Sequence, residues 1–186
     1  MSARPSCFHK TISLYEASMH KIGLRPATAD DVDALTEIFL QARQVAMPYL
    51  PSLYADEEVS YWLANIVMPH ARLTVATVGD ARPIAFCACR HGQLDHLYVA
   101  PASQGSGAGT LLLADAMGHN PSGLRLHVFQ RNIKARTFYE RNGFCLVELR
   151  DGSQNEELEP DAVYDWRPER QFDSRNDSSR AGISHR

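Results

Sequence analysis

Apolar residues recur along this chain with two different periods. From Thr28 onward Val32, Leu35, Ile38, Phe39 and Ala42 return at helical spacing behind an acidic first turn that Thr28 or Asp30 can cap, which predicts a helix fading near Met47-Pro48. Tyr49-Leu50-Pro51-Ser52-Leu53-Tyr54 is too proline-rich for regular structure, and Asp56-Glu57-Glu58 opens a second helix through Tyr61, Trp62, Ile66 and Met68. A first strand is predicted at Ile22 to Pro26. Further on, Arg72 to Val78, the turn Gly79 to Arg82, Pro83 to Arg90 and Leu94 to Val99 predict an antiparallel meander. A helix from Thr110 through Met117 and a strand from Leu124 to Phe129 follow, so the local pairing is mixed or parallel. Asn132 to Asn142 predicts a last helix with Ala135, Phe138, Tyr139 and Asn142 on one face and Gly143 as its C-cap. Phe144 to Leu149 and Ala162 to Trp166 complete the strands. The fold class is α/β.

Composition narrows the classes. A chain of 186 residues with 44% hydrophobic content fills one domain, here 21–167, between an N-terminal extension (1–20) and a polar, disordered tail (168–186). Met19 offers an alternative start for the chain. A net charge of −3 gives no basic excess for a polynucleotide, so nucleic acid is excluded as a partner. Cys7, Cys87, Cys89 and Cys145 have neither zinc nor disulfide spacing and read as small apolar residues in a reducing cytosol; no metal is expected. Cys87 and Cys89, placed on opposite faces of one strand and without a histidine partner, are not read as nucleophiles. No run approaches the length of a membrane span, and His9, Lys10, Glu16 and His20 interrupt the start, so no membrane association is expected and the protein is read as cytoplasmic.

The candidate chemistry centres on Gln104-Gly105-Ser106-Gly107-Ala108-Gly109, a glycine loop running from a strand into a helix. Glycines let backbone approach a phosphate, and the first amides of a helix lack internal partners in a field that favours anions. A P-loop is excluded because no Lys-Ser or Lys-Thr follows, and a dinucleotide fold because G-x-G-x-x-G is absent.

Read as Q-x-x-G-x-G after Leu97-Tyr98-Val99, and followed by Asn132-x-x-Ala135-x-x-Phe138-Tyr139-x-x-Asn142-Gly143-Phe144, the chain resembles the GNAT superfamily of N-acetyltransferases over roughly residues 22–167. The resemblance implies a GNAT fold, a mixed and mostly antiparallel twisted sheet of six to seven strands flanked by four helices, and acetyl coenzyme A as cosubstrate. It places the pyrophosphate on the backbone of Gln104, Gly105, Ser106, Gly107, Ala108 and Gly109. The pantetheine arm lies along the backbone of Leu97, Tyr98 and Val99, and Asn132 contacts it. Tyr139 is implied as the proton donor to the leaving thiolate. An amine must lose a proton before it attacks, and His127 is the leading base, with His96, Asp95 and Glu37 as other candidates. Asp95 and His96 are expected to alternate across the sheet, so that at most one faces the cleft. The acceptor is a primary amine of a small molecule or a peptide, and a homodimer is compatible with the fold. An acidic loop from Asp151 to Asp161 and Asp56-Glu57-Glu58, with Tyr49, Tyr54 and Trp62, offer surroundings for a cationic amine. The competing reading is a coenzyme A binding module without turnover.

Overall fold

The computed structural model describes residues 22–79 and 82–168. The expectations for the extension over residues 1–20, for Met19 as a start and for the tail beyond Pro168 fall outside these residues.

Among the described residues seven strands form one sheet: β1 (Ile22–Pro26), β2 (Arg72–Val78), β3 (Pro83–Arg90), β4 (Gln93–Val99), β5 (Leu124–Phe129), β6 (Cys145–Arg150) and β7 (Asp161–Trp166). Their order is β1-β2-β3-β4-β5-β7-β6. Only the β4–β5 pair is parallel, as the crossover through a helix requires; the rest are antiparallel.

Among the same residues four helical segments cover the two faces: α1 (Val32–Ala46), α2 (residues 56–70), α3 (Ala108–His119) and α4 (Ile133–Arg141). On one face, Leu35 and Ile38 of α1 and Leu63 and Val67 of α2 pack on Val75, Phe86 and Ala88 of the sheet. On the other, Leu112 and Leu113 of α3 and Tyr139 of α4 pack on Leu94, Leu126 and Tyr164. Each such side chain taken from water contributes about 1.5–3 kcal/mol, so the periodic positions read from the sequence hold both layers in place.

The start of α1 is fixed by polar contacts. The Thr28 amide donates to Asp31 Oδ2 at 2.8 Å, and Arg25 grips the same carboxylate with two guanidinium bonds of 2.7 and 2.8 Å. That fork pulls the Asp31 carboxyl down to about 2. In α2, α-helical Asp56–Trp62 passes through a π turn at Leu63–Val67 into a last turn, Met68–His70. The π turn directly precedes Pro69, which has no N–H to offer the preceding turn and whose ring crowds the carbonyl four residues back; widening the helix relieves both.

Two sequence expectations need correction. Cys87 and Cys89 lie on the same face of β3, as residues two apart must, with their sulfurs 3.7 Å apart in the α3-side core. The contact with Cys89 and burial hold the Cys87 thiol well above its ordinary range. The regular alternation expected of Asp95 and His96 also fails. Ala88 pairs with His96 and Cys89 with Leu94, which leaves Asp95 as an extra, unpaired residue: a β-bulge.

Candidate active site

The bulge decides where the site lies. β4 and β5 are paired only at Gln93–Arg125 and Leu94–Leu126, and beyond Leu94 they part. A cleft of about 810 Å³ opens between them, lined by Asp95 to Tyr98, by His127 to Phe129, by Asn132 and Tyr139 and by residues 148–151 and 153–155. That volume is in the range of small-ligand sites, and the β4 edge facing it is free to bond an extended chain of amides.

At the end of β4 lies the glycine loop. Gln104 to Gly107 are exposed, and Gly105 and Gly107 take φ values of 81° and 92°, which a side chain would strain. Nothing lies within 4 Å of where a Cβ would stand at either residue, so the loop is open on that side. Among the described residues the amides of Gly105 and Gly107 have no acceptor, whereas Ala108 N–H reaches Ser106 Oγ at 3.4 Å. Gly109 has a different constraint. A Cβ there would come within 3.4 Å of Val99 and 3.7 Å of Phe138, so its small size lets α3 approach β4 and α4.

Tyr139 enters the cleft from α4, 9% exposed, with its ring against Phe138 and Phe144 at centroid distances of 5.3 and 5.6 Å. Its hydroxyl has no partner among the described residues, and burial holds the phenol far above its usual range, fully protonated at neutral pH. Asn132 also lines the cleft, and its side-chain oxygen accepts the Ala135 amide at 3.2 Å as the N-cap of α4. That bond fixes the side chain and leaves its NH₂ available to a ligand. Leu97 and Val99 pack into the α3-side core and Tyr98 into the opposite one, so β4 offers its backbone edge to the cleft.

The base candidates separate. His127 Nδ1 lies 3.1 Å from Asp161 Oδ2, with His127 partly open to the cleft and Asp161 buried. When Nδ1 carries the proton, Asp161 accepts it and Nε2 keeps its lone pair, the form a base needs. Asp161 was not singled out in the sequence: it stands 34 residues away and becomes a partner only because β5 and β7 pair antiparallel. Asp95 and His96 both line the cleft, a consequence of the bulge. Burial raises the Asp95 carboxyl, opposed by Arg90 at 3.5 Å. Burial, with Arg43 and Arg90 nearby, lowers His96 to about 4, so its ring is neutral. Glu37 is not part of the site: it points out from α1 to Gln41 and Arg82.

The aromatic surroundings are also sorted. Tyr54 and Trp62 meet Phe39, His96 and Tyr98 around a second cavity that shares His96 and Tyr98 with the cleft. Tyr49 does not join them; its ring lies under Arg131, 3.8 Å from the guanidinium carbon. Asn155 braces its own loop through two bonds with the Glu159 backbone. Among the described residues, no group of three or more His, Cys, Asp or Glu could hold a metal, and no helix is long and apolar enough to cross a membrane.

A family model described as an acetyltransferase (GNAT) domain matches residues 69–145, which include β2 to β5, the glycine loop and α4. The chain is 27% identical over 123 residues to the peptidyl-lysine N-acetyltransferase YjaB of Salmonella typhimurium, spanning 66% of this chain and 83% of that one. The Escherichia coli protein of the same name is 26% identical over 123 residues, spanning 66% of this chain and 82% of its own. The solution structure of apo YjaB from Escherichia coli superposes with a TM-score of 0.66 at 23% identity, over 78% of this chain and 97% of that one. The PaiA N-acetyltransferase of Thermoplasma acidophilum, solved in complex with coenzyme A, superposes with a TM-score of 0.61 at 18% identity, over 80% and 99%. The likeness to these two structures is one of fold.

Proposed function

Since this chain belongs to the GNAT superfamily of acetyltransferases, we propose that it moves an acetyl group from acetyl coenzyme A to a primary amine of a small molecule or a peptide by direct attack. The reading is carried by one juxtaposition: a glycine loop with open amides at one end of a parted strand pair, and an unpartnered, protonated tyrosine inside the same cleft.

In this reading the loop from Gln104 to Gly109 takes the pyrophosphate, chiefly on the open amides of Gly105 and Gly107 and on the start of α3. The free edge of β4 at Leu97 to Val99 pairs with the amides of the pantetheine arm, and the Asn132 NH₂ adds a bond beside it. The thioester supplies an acyl carbon that an uncharged amine can attack, with a thiolate leaving. Tyr139 gives that thiolate a proton. His127, oriented by Asp161, takes the proton from the incoming amine, directly or through one water. The two YjaB relatives are named as peptidyl-lysine acetyltransferases, so a lysine side chain on a peptide belongs among the acceptors to be tried.

The experiment is thiol detection with acetyl coenzyme A and a panel of amines that includes polyamines, amino sugars, amino acids and lysyl peptides. Amine-dependent release of thiol is the expected result. A chain that is stabilised by acetyl coenzyme A but releases no thiol with any amine is a coenzyme A binding module, and that result removes the catalytic reading.

A further inference from the structure

We propose that the acceptor is a monoamine carried on a short alkyl chain from an aromatic or bulky apolar body, and that the cavity between α1, α2 and β4 is built to hold that body. The inference rests on the acetyl-transfer reading above and names its acceptor class.

The cavity measures about 680 Å³. Its wall is a continuous set of rings: Phe39 and Tyr98 at 4.9 Å, Phe39 and Trp62 at 5.5 Å, and Trp62 and His96 at 4.9 Å between centroids, mostly edge to face. Tyr61 and Tyr54 extend the wall outward, 66% and 51% exposed, beside Leu53 at 44%. Apolar surface gathered this way in a concavity gains nothing for the fold by being open, whereas a ligand that covers it removes it from water. His96 and Tyr98 line both spaces, so the cavity borders the cleft that holds Tyr139, and in this proposal the nitrogen sits at that shared border.

Charge agrees with an amine. Among the described residues Glu57, Glu58, Glu156 and Glu157 line the cavity against a single cation, Arg43. Such a rim draws an ammonium ion from solution, an attraction that salt screens. A polyamine would have to place a further ammonium among the rings, at a desolvation cost that an apolar body does not carry. Glu58 is engaged with the Ala55 amide at 2.8 Å, Glu156 with the Tyr54 hydroxyl at 2.5 Å and Glu157 with Arg43 at 2.7 Å. The rings are what remains for the ligand to cover.

The test uses the full chain with acetyl coenzyme A and thiol detection, comparing 2-phenylethylamine and n-hexylamine with ethanolamine, glucosamine, spermidine and a lysyl peptide. The expected kcat/KM for the two apolar amines exceeds that for ethanolamine by roughly tenfold or more, in line with the discrimination that apolar contacts supply. Trp62→Ala collapses the ratio of 2-phenylethylamine to ethanolamine toward one. Tyr61→Ala, a change at an exposed ring, reduces the same ratio and serves if Trp62→Ala does not fold. A preference for spermidine, glucosamine or the lysyl peptide overturns the acceptor class while acetyl transfer stands. Thermal stabilisation by acetyl coenzyme A without thiol release on any amine overturns both.

Discussion

Tyr139 holds its proton because its hydroxyl lies in a buried setting among Cys87, Cys89 and Tyr98, where a phenolate would lack solvent. A donor that stays protonated until a thiolate forms beside it is suited to act only late in the reaction. Tyr139→Phe keeps the ring and removes the proton; kcat falls by roughly 10²-fold or more, while thermal stabilisation by acetyl coenzyme A is retained. Unchanged turnover would remove the acid role. His96 is the second residue whose setting has a measurable consequence. Its folded value of about 4 lies below the roughly 6.5 of an unfolded histidine, so between these pH values the unfolded chain binds more protons than the folded one. Stability therefore falls as pH drops from about 6.5 to about 4, by about 3 kcal/mol from this residue. Asp31 acts in a lower window: its stabilising contribution is present above the unfolded carboxylate range and is lost as pH falls toward about 2. Urea midpoints at pH 7 and pH 4.5 should differ by less in His96→Asn than in the unaltered chain, and equal differences would refute the assignment.

At the level of elements, the glycine loop is the simplest to probe. Gly107 ends the loop at φ 92° with open space beyond its Cβ position. A glutamate there brings a negative charge to the amides proposed to bind the phosphates and strains the backbone by about 1–3 kcal/mol. Gly107→Glu should retain the far-ultraviolet circular dichroism of the fold and lose thermal stabilisation by acetyl coenzyme A; an unchanged shift would mean that the phosphates lie elsewhere. The elements themselves were legible in the sequence because each carries its own period: β1, β2 and β3 fall at the residues read for them, and the glycine loop and Asn132 mark where α3 and α4 begin. Less of the site could be read. The Asp95 bulge depends on how β3 and β4 pair, which no local pattern records. Asp161 meets His127, and Tyr54 meets Glu156, only after strands and loops distant in sequence are brought together. Pro69 marks the irregular turn of α2 in the sequence itself. The same holds for Cys87 and Cys89, whose spacing of two residues already placed them on one face.

Across the whole molecule, α1 and the chain leading into α2 are tied to the loop between β6 and β7 by two polar contacts, Arg43 to Glu157 at 2.7 Å and Tyr54 to Glu156 at 2.5 Å. The second of these closes the outer rim of the aromatic cavity. It is also the more exposed, and hence the easier to exchange for a ligand contact. The sheet, continuous when its strand order is read, is joined between β4 and β5 by just two residue pairs. One side holds β1 to β4, the other β5, β7 and β6, with α3 as the connection that passes from one to the other. With hydrogen bonding between the halves this sparse, the α3-side core they share is what chiefly joins them, and the ligand-free molecule should behave as two cooperative units of unequal stability. Amide hydrogen exchange would then show β5 and β7 releasing their protons through smaller openings than β2 and β3. A cosubstrate laid along the β4 edge replaces the missing rungs of the ladder and couples the halves. Its addition should slow exchange in β5 and β7, well beyond the residues it touches, and bring the two units to a common opening.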